Sequence, residues 1–188
     1  LGKLASRLAE TMGGDSTIVS RAAHLCKADL ASQMVGEFPE LQGIMGRYYA
    51  QAQGESAEVA QAIEEHYWPK ASGDPIPDAL PSLILAIADR IDSLVGFFAL
   101  GITPSGSKDP FALRRAGLSL IALCLNPHFS FSLHEMLGDA YETYAWSELM
   151  PSLLKNRQET VKDLWQFLLE RFKFTLKESQ KSSYDHVD

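Results

Sequence analysis

The chain has 188 residues, 46% hydrophobic and 22% charged, enough for one full domain or two small ones. A formal net charge of −7 excludes a protein whose whole surface binds nucleic acid, but leaves room for a local basic patch. Cys26 and Cys124 sit inside apolar runs. They read as buried free thiols of a reducing, cytoplasmic compartment, and two cysteines alone make no structural zinc site.

Nearly every segment has helical spacing, and none alternates as a strand would. Leu1, Leu4, Leu8 and Met12 recur every three or four residues until Gly13-Gly14 stops the helix. Asp15 or Ser16 caps a second helix running through Ile18, Ala22, Leu25, Cys26, Leu30 and Met34. Pro39 suits the first turn of a third, FPELQGIMGRYYAQAQG, closed by Gly54. Ser56 caps a fourth, SAEVAQAIEEHYW, which Pro69 terminates. Four prolines and Gly73 within residues 69–81 predict a stiff, ordered loop.

The most apolar window, SLILAIADRIDSLVGFFALG, carries Asp89, Arg90 and Asp92 at its centre. Charges there are costly in lipid, so it reads as a buried helix and not as a membrane span. After GITPSGSKDP, Asp109 at the N-cap and Pro110 at the first position open a sixth helix reaching Leu125. Asn126-Pro127 breaks it, and the capping box Ser132 to Glu135 opens a seventh. The last helix places Val161, Leu164, Trp165, Leu168, Phe172 and Leu176 on one stripe, with interleaved charges on its solvated face. The expectation is an all-α protein. The chain begins at Leu1 as if already inside a helix and ends at YDHVD, and it reads as a piece of a longer protein.

Few residues offer chemistry. Asp89 lies mid-helix among apolar neighbours, where a carboxylate needs a partner. It is either a core acid paired with Arg90 or a distant base, with Asp92 sharing its solvent edge, or the remnant of a metal site. His66 ends the fourth helix, where the macrodipole favours an imidazolium. His24 falls on a partly buried face, and His128 and His134 have no carboxylate at metal-site spacing. There is no phosphate-cradling glycine loop, no G-x-S-x-G, no C-x-x-C and no paired histidines on one helix face. Outside the last helix, the one cluster of positive charge is Arg114-Arg115, with Lys108 and Lys70 as possible neighbours.

RAAHLCKADLASQMVGEFPELQGIMGRYYA, IEEHYWP, GDPIP, ADRIDSLVGFF and KDPFALRRA occur in that order between about residues 20 and 120. Together they resemble the β subunit of bacterial-type tetrameric glycyl-tRNA synthetase. The resemblance implies an HD-like helical bundle over residues 1–126. Residues 127–188 would then be a helical extension leading toward C-terminal anticodon-binding helices. HD phosphohydrolases hold a metal with a His, a His-Asp doublet and a later Asp. In this sequence Asp29 stands for the doublet's Asp, but Ala28 replaces its His, and Asp89 in ADRID matches the later Asp. His66 is the other degenerate position. The implied site is a scaffold without catalytic residues, metal or cofactor of its own.

The same resemblance implies that ATP and Mg²⁺ act at a partner α subunit, and that tRNA(Gly) is the shared substrate of a hetero-tetramer with no membrane association. Lys108, Arg114 and Arg115 would offer charge to an RNA phosphate or a partner acid. The competing reading sends one arginine back to Asp89 or Asp92, pinning the core, because adjacent helical residues point about 100° apart. Two other functions fit the pattern: an HD-type phosphohydrolase acting on nucleotides, and a purely structural subunit-interaction module.

Overall fold

The structure, a computed structural model, describes residues 1–71, 73–129, 131–145 and 154–184. Residues 185–188 of the predicted chain ending lie outside this description. The described residues form nine α-helices and no strand. They are α1 (Gly2–Met12), α2 (Ser16–Leu25), α3 (Gln33–Glu37), α4 (Ile44–Ala52), α5 (Ala57–Glu65), α6 (Leu80–Ala99), α7 (Leu113–Cys124), α8 (Leu133–Ala145) and α9 (Arg157–Tyr184). The all-α expectation holds. No helix among the described residues is long and apolar enough to cross a membrane.

α6 is the axis. Leu83 through Ala88, together with Ile91 and Leu94, are completely buried, which explains its nearly unbroken apolar sequence. α1, α2, α5, α7, α8 and α9 all pack on it. Each such Leu or Ile contributes about 1.5–3 kcal/mol relative to an exposed position. One apolar cluster runs from Leu4 and Leu8 of α1 through α6 to Leu137 of α8 and to Val161, Leu164 and Leu168 of α9. The α9 stripe predicted from spacing is therefore buried at Val161, Leu164 and Leu168 and half-buried at Trp165, while Leu176 lies exposed on a later turn.

Several predicted caps are realised. Asp15 accepts from the amides of Thr17 and Ile18, Ser56 from Val59 and Ser132 from Glu135. Three boundaries differ from the sequence reading. The second helix stops at Leu25, and Ala28–Ala31 forms a separate 3-10 helix before α3. His24 and Asp29 are thus on different elements, and His24 is exposed. Pro39 opens a three-residue 3-10 turn, and α4 begins only at Ile44. Pro110 precedes α7 instead of starting it, because Ala112 adopts a left-handed conformation (φ 53°) just ahead of Leu113. Asp109 still caps, reaching across that turn to the amides of Leu113 and Arg114 at 2.8 and 3.0 Å.

Candidate functional site

The break after Leu25 positions Lys27. Its ammonium lies 3.0 Å from Asp89 Oδ1 and 4.4 Å from the centre of the Tyr67 ring, pairing a cation with both a carboxylate and a π face. Arg90 takes the other oxygen, its guanidinium 2.8 Å from Asp89 Oδ2. Three further Arg90 hydrogens go to the carbonyls of His66 (3.3 Å) and Tyr67 (2.8 Å) and to Ser119 Oγ (3.2 Å). Ser119 Oγ in turn donates to the Pro69 carbonyl at 3.1 Å. Arg90 thus ties the end of α5 to both α6 and α7. Burial alone pushes the Asp89 carboxyl up. Lys27, His66 and Arg90 outweigh that and hold it below the usual carboxylate range.

Asp29 and His66 are also buried. Asp29 Oδ2 accepts from the backbone amides of Gly43 and Gly46, at 2.6 and 3.1 Å. The carboxylate therefore caps α4 across the chain, a role local capping rules do not reveal. Gly43 is left-handed (φ 80°), and a Cβ there would meet the Tyr67 ring at 2.6 Å. A Cβ on Gly46 would meet Ile63 at 2.7 Å and Asp29 Oδ2 at 3.2 Å. Glycine at both positions lets the backbone close on the acid.

His66 Nδ1 donates to the Ile63 carbonyl at 2.7 Å, and the imidazole tilts against Tyr67 with ring centres 4.0 Å apart. Burial lowers its pKa to about 4. The imidazolium expected from the helix dipole is corrected: desolvation, with Lys27 and Arg90 nearby, outweighs the dipole and the Asp89 charge, so the ring is neutral near pH 7. The folded pKa lies below the unfolded value near 6.5. The unfolded chain thus binds the extra proton between these values, and stability should fall as pH drops from 6.5 to 4, by about 3 kcal/mol for this group. His66→Asn should flatten that window in urea unfolding midpoints measured across pH; an unchanged profile would contradict the assignment.

The three positions matched to a metal site lie in one neighbourhood, since Tyr67 feels the charges of both Asp29 and Asp89. They do not fit a metal. Asp29 spends its bonded oxygen on backbone amides, and both Asp89 oxygens are bound by Lys27 and Arg90. Among the described residues, no group of three His, Cys, Asp or Glu side chains could hold an ion. Two cations already supply the charge an ion would bring. Thiolate chemistry is also disfavoured, because burial pushes Cys26 up to about 11 and Cys124 to about 12.

At the mouth of α7, Arg114 donates to the Gly106 carbonyl at 2.7 Å and pins the loop carrying Lys108. Neither arginine of the pair reaches Asp89 or Asp92, which corrects that expectation. Asp89 is saturated by Lys27 and Arg90, and Asp92 Oδ1 lies 3.3 Å from the Leu1 amino group. Arg115 is exposed and faces a groove of about 760 Å³ between α7, α9 and the proline-rich loop. Among the described residues neither Arg115 nor Lys108 forms an ion pair. Sequence reading missed Lys27 and the groove. Lys27 adjoins the A-D pair that marks Asp29 and could have been flagged on that ground.

The glycyl-tRNA synthetase beta subunit family model matches residues 1–188, the full length of the chain. The chain belongs to this family. It is 45% identical over 179 residues to the glycine–tRNA ligase beta subunit of Aromatoleum aromaticum, covering 95% of this chain and 25% of the relative. The corresponding protein of Syntrophomonas wolfei is 44% identical over 189 residues, covering 100% and 27%. That of Desulforamulus reducens is 42% identical over 191 residues, covering 100% and 27%. The chain spans about a quarter of the length of these beta subunits.

Proposed function

We propose that these residues are a non-catalytic part of a glycine–tRNA ligase β subunit, serving as scaffold and as part of the surface that meets tRNA(Gly). In this reading the whole enzyme attaches glycine to tRNA using ATP. ATP and Mg²⁺ act at a companion α subunit within a hetero-tetramer. Residues 1–126 are the HD-type bundle whose metal chemistry has been lost, and 127–188 are its helical extension. Family membership supports the reaction class, and the relatives' names supply the tRNA and the notion of a second subunit.

The observation that carries the RNA-facing role is the free charge of Lys108 and Arg115 at one helix mouth of an acidic chain. Exposed cations without acid partners contribute little to stability, and their sign suits phosphate contacts. Arg114 serves that surface indirectly, by holding the loop through Gly106. The phosphohydrolase alternative is disfavoured by the ligation of Asp29 and Asp89 described above.

The test is tRNA binding by the complete α/β enzyme across a salt series. Lys108→Ala and Arg115→Ala should each weaken binding and each lower the log–log salt slope by about 0.7–0.9. The unfolding midpoint should stay within about 1 kcal/mol of wild type. Unchanged slopes for both would favour a purely structural module and sink the RNA-facing role.

A further inference from the structure

The groove beside Arg115 combines features that a solvated surface does not require. Its floor carries large apolar side chains left open to water: Phe174 at 57% exposure, Leu125 at 58% and Leu118 at 37%. Two cations stand on its wall, Lys70 and Arg115, with no acid partner among the described residues. Among the described residues lining it the single carboxylate, Asp74, accepts from the backbone amides of Lys70 and Ala71 at 3.0 and 2.7 Å. That carboxylate is therefore committed to the loop. At about 760 Å³ the space lies within the range that takes a compact ligand.

An exposed aromatic ring on an apolar floor, with unpaired cations on the wall, is complementary to an anion that carries a flat apolar group. We propose that the groove receives one unstacked nucleotide of the bound tRNA. Its base lies on Phe174 against Leu118 and Leu125, and its phosphate lies between Lys70 and Arg115. This rests on the RNA-facing reading above and extends it from backbone charge to a base-holding pocket. Single-stranded RNA is generally held this way, by stacking on aromatic rings with charge along the backbone. No sequence preference is implied, because every base has a face to stack.

The experiment uses the complete α/β enzyme. Phe174→Ala should weaken tRNA binding roughly 5- to 100-fold, the usual range for one lost base stack. Phe174→Trp should restore it, and Phe174→Leu should not, because a leucine supplies bulk without a ring face. The salt slope should be unchanged in all three, since no phosphate contact is removed. A photo-crosslinking benzoylphenylalanine placed at position 174 should couple to the tRNA at a discrete nucleotide. Wild-type affinity in Phe174→Ala, or full rescue by leucine, overturns the stacking site. Crosslinking to another stretch of protein overturns it too, and makes the groove a docking surface for polypeptide. Either result leaves the Lys108 and Arg115 salt-slope test standing on its own, so the two readings fail separately.

Discussion

Arg90→Ala should lower the stability of the folded chain by about 3–5 kcal/mol, read as a shift in urea midpoint at constant slope. The side chain is only 12% exposed and bonds four groups from three segments: Asp89, the His66 and Tyr67 carbonyls, and Ser119. Removing it strands a buried carboxylate with Lys27 as its remaining partner and leaves two carbonyls without a donor. Domains of this size are held by about 5–15 kcal/mol in total, so the variant should be close to unfolding at room temperature. If it does not fold at all, Arg90→Lys gives the graded answer. A lysine keeps the charge beside Asp89 but cannot fork to Tyr67 and Ser119, so it should recover part of the loss. A wild-type midpoint in both variants would show that the pair with Asp89 stabilises nothing.

Asp29→Ala should cost about 2–4 kcal/mol, because two buried amides at the start of α4 lose an ionised acceptor at once. Asp29→Asn keeps an oxygen for those amides and should cost roughly half as much. The ordering matters more than the absolute values. A residue kept for metal ligation would behave in the opposite way, with its removal relieving buried charge in a metal-free protein. Equal or improved stability in Asp29→Ala, measured by thermal and urea unfolding, would contradict the capping role.

Much of the fold was legible from periodicity and punctuation. α1, α5 and α6 begin and end close to where their apolar spacing, serine cap and prolines place them. At the break after Leu25, tertiary contacts override local propensity. The residues after Leu25 have acceptable helical spacing, yet the chain turns there, which brings Asp29 to the α4 amides and Lys27 to Asp89. Pro110 is a sound first-turn residue, but the left-handed Ala112 behind it delays α7 by one turn. The contacts at the first break reach from Asp29 to Gly43 and from Lys27 to Asp89, too far along the chain for a local rule to find.

The site was legible in its components but not in its pairing. Asp29, His66 and Asp89 were singled out by motif, and Arg90 was the natural partner for Asp89 because it is adjacent. Lys27 was invisible as a partner, since it lies 62 residues from Asp89 in sequence while their side chains stand 3.0 Å apart. The expected inward arginine is absent: Arg114 bonds the exposed Gly106 carbonyl, an acceptor that carries no sequence signature, and Arg115 is exposed.

Lys27 and Arg90 take both oxygens of Asp89, and the proposed scaffold role requires that this part of the β subunit hold no metal. The most direct measurement is the thermal unfolding midpoint of the complete β subunit after chelation, followed by titration with Mn²⁺, alongside metal analysis of the purified protein. The predicted result is no stoichiometric manganese, iron or nickel, and a midpoint that moves neither with chelator nor with Mn²⁺. A bound ion at one equivalent that raises the midpoint and is lost in both Asp29→Ala and Asp89→Asn would contradict it.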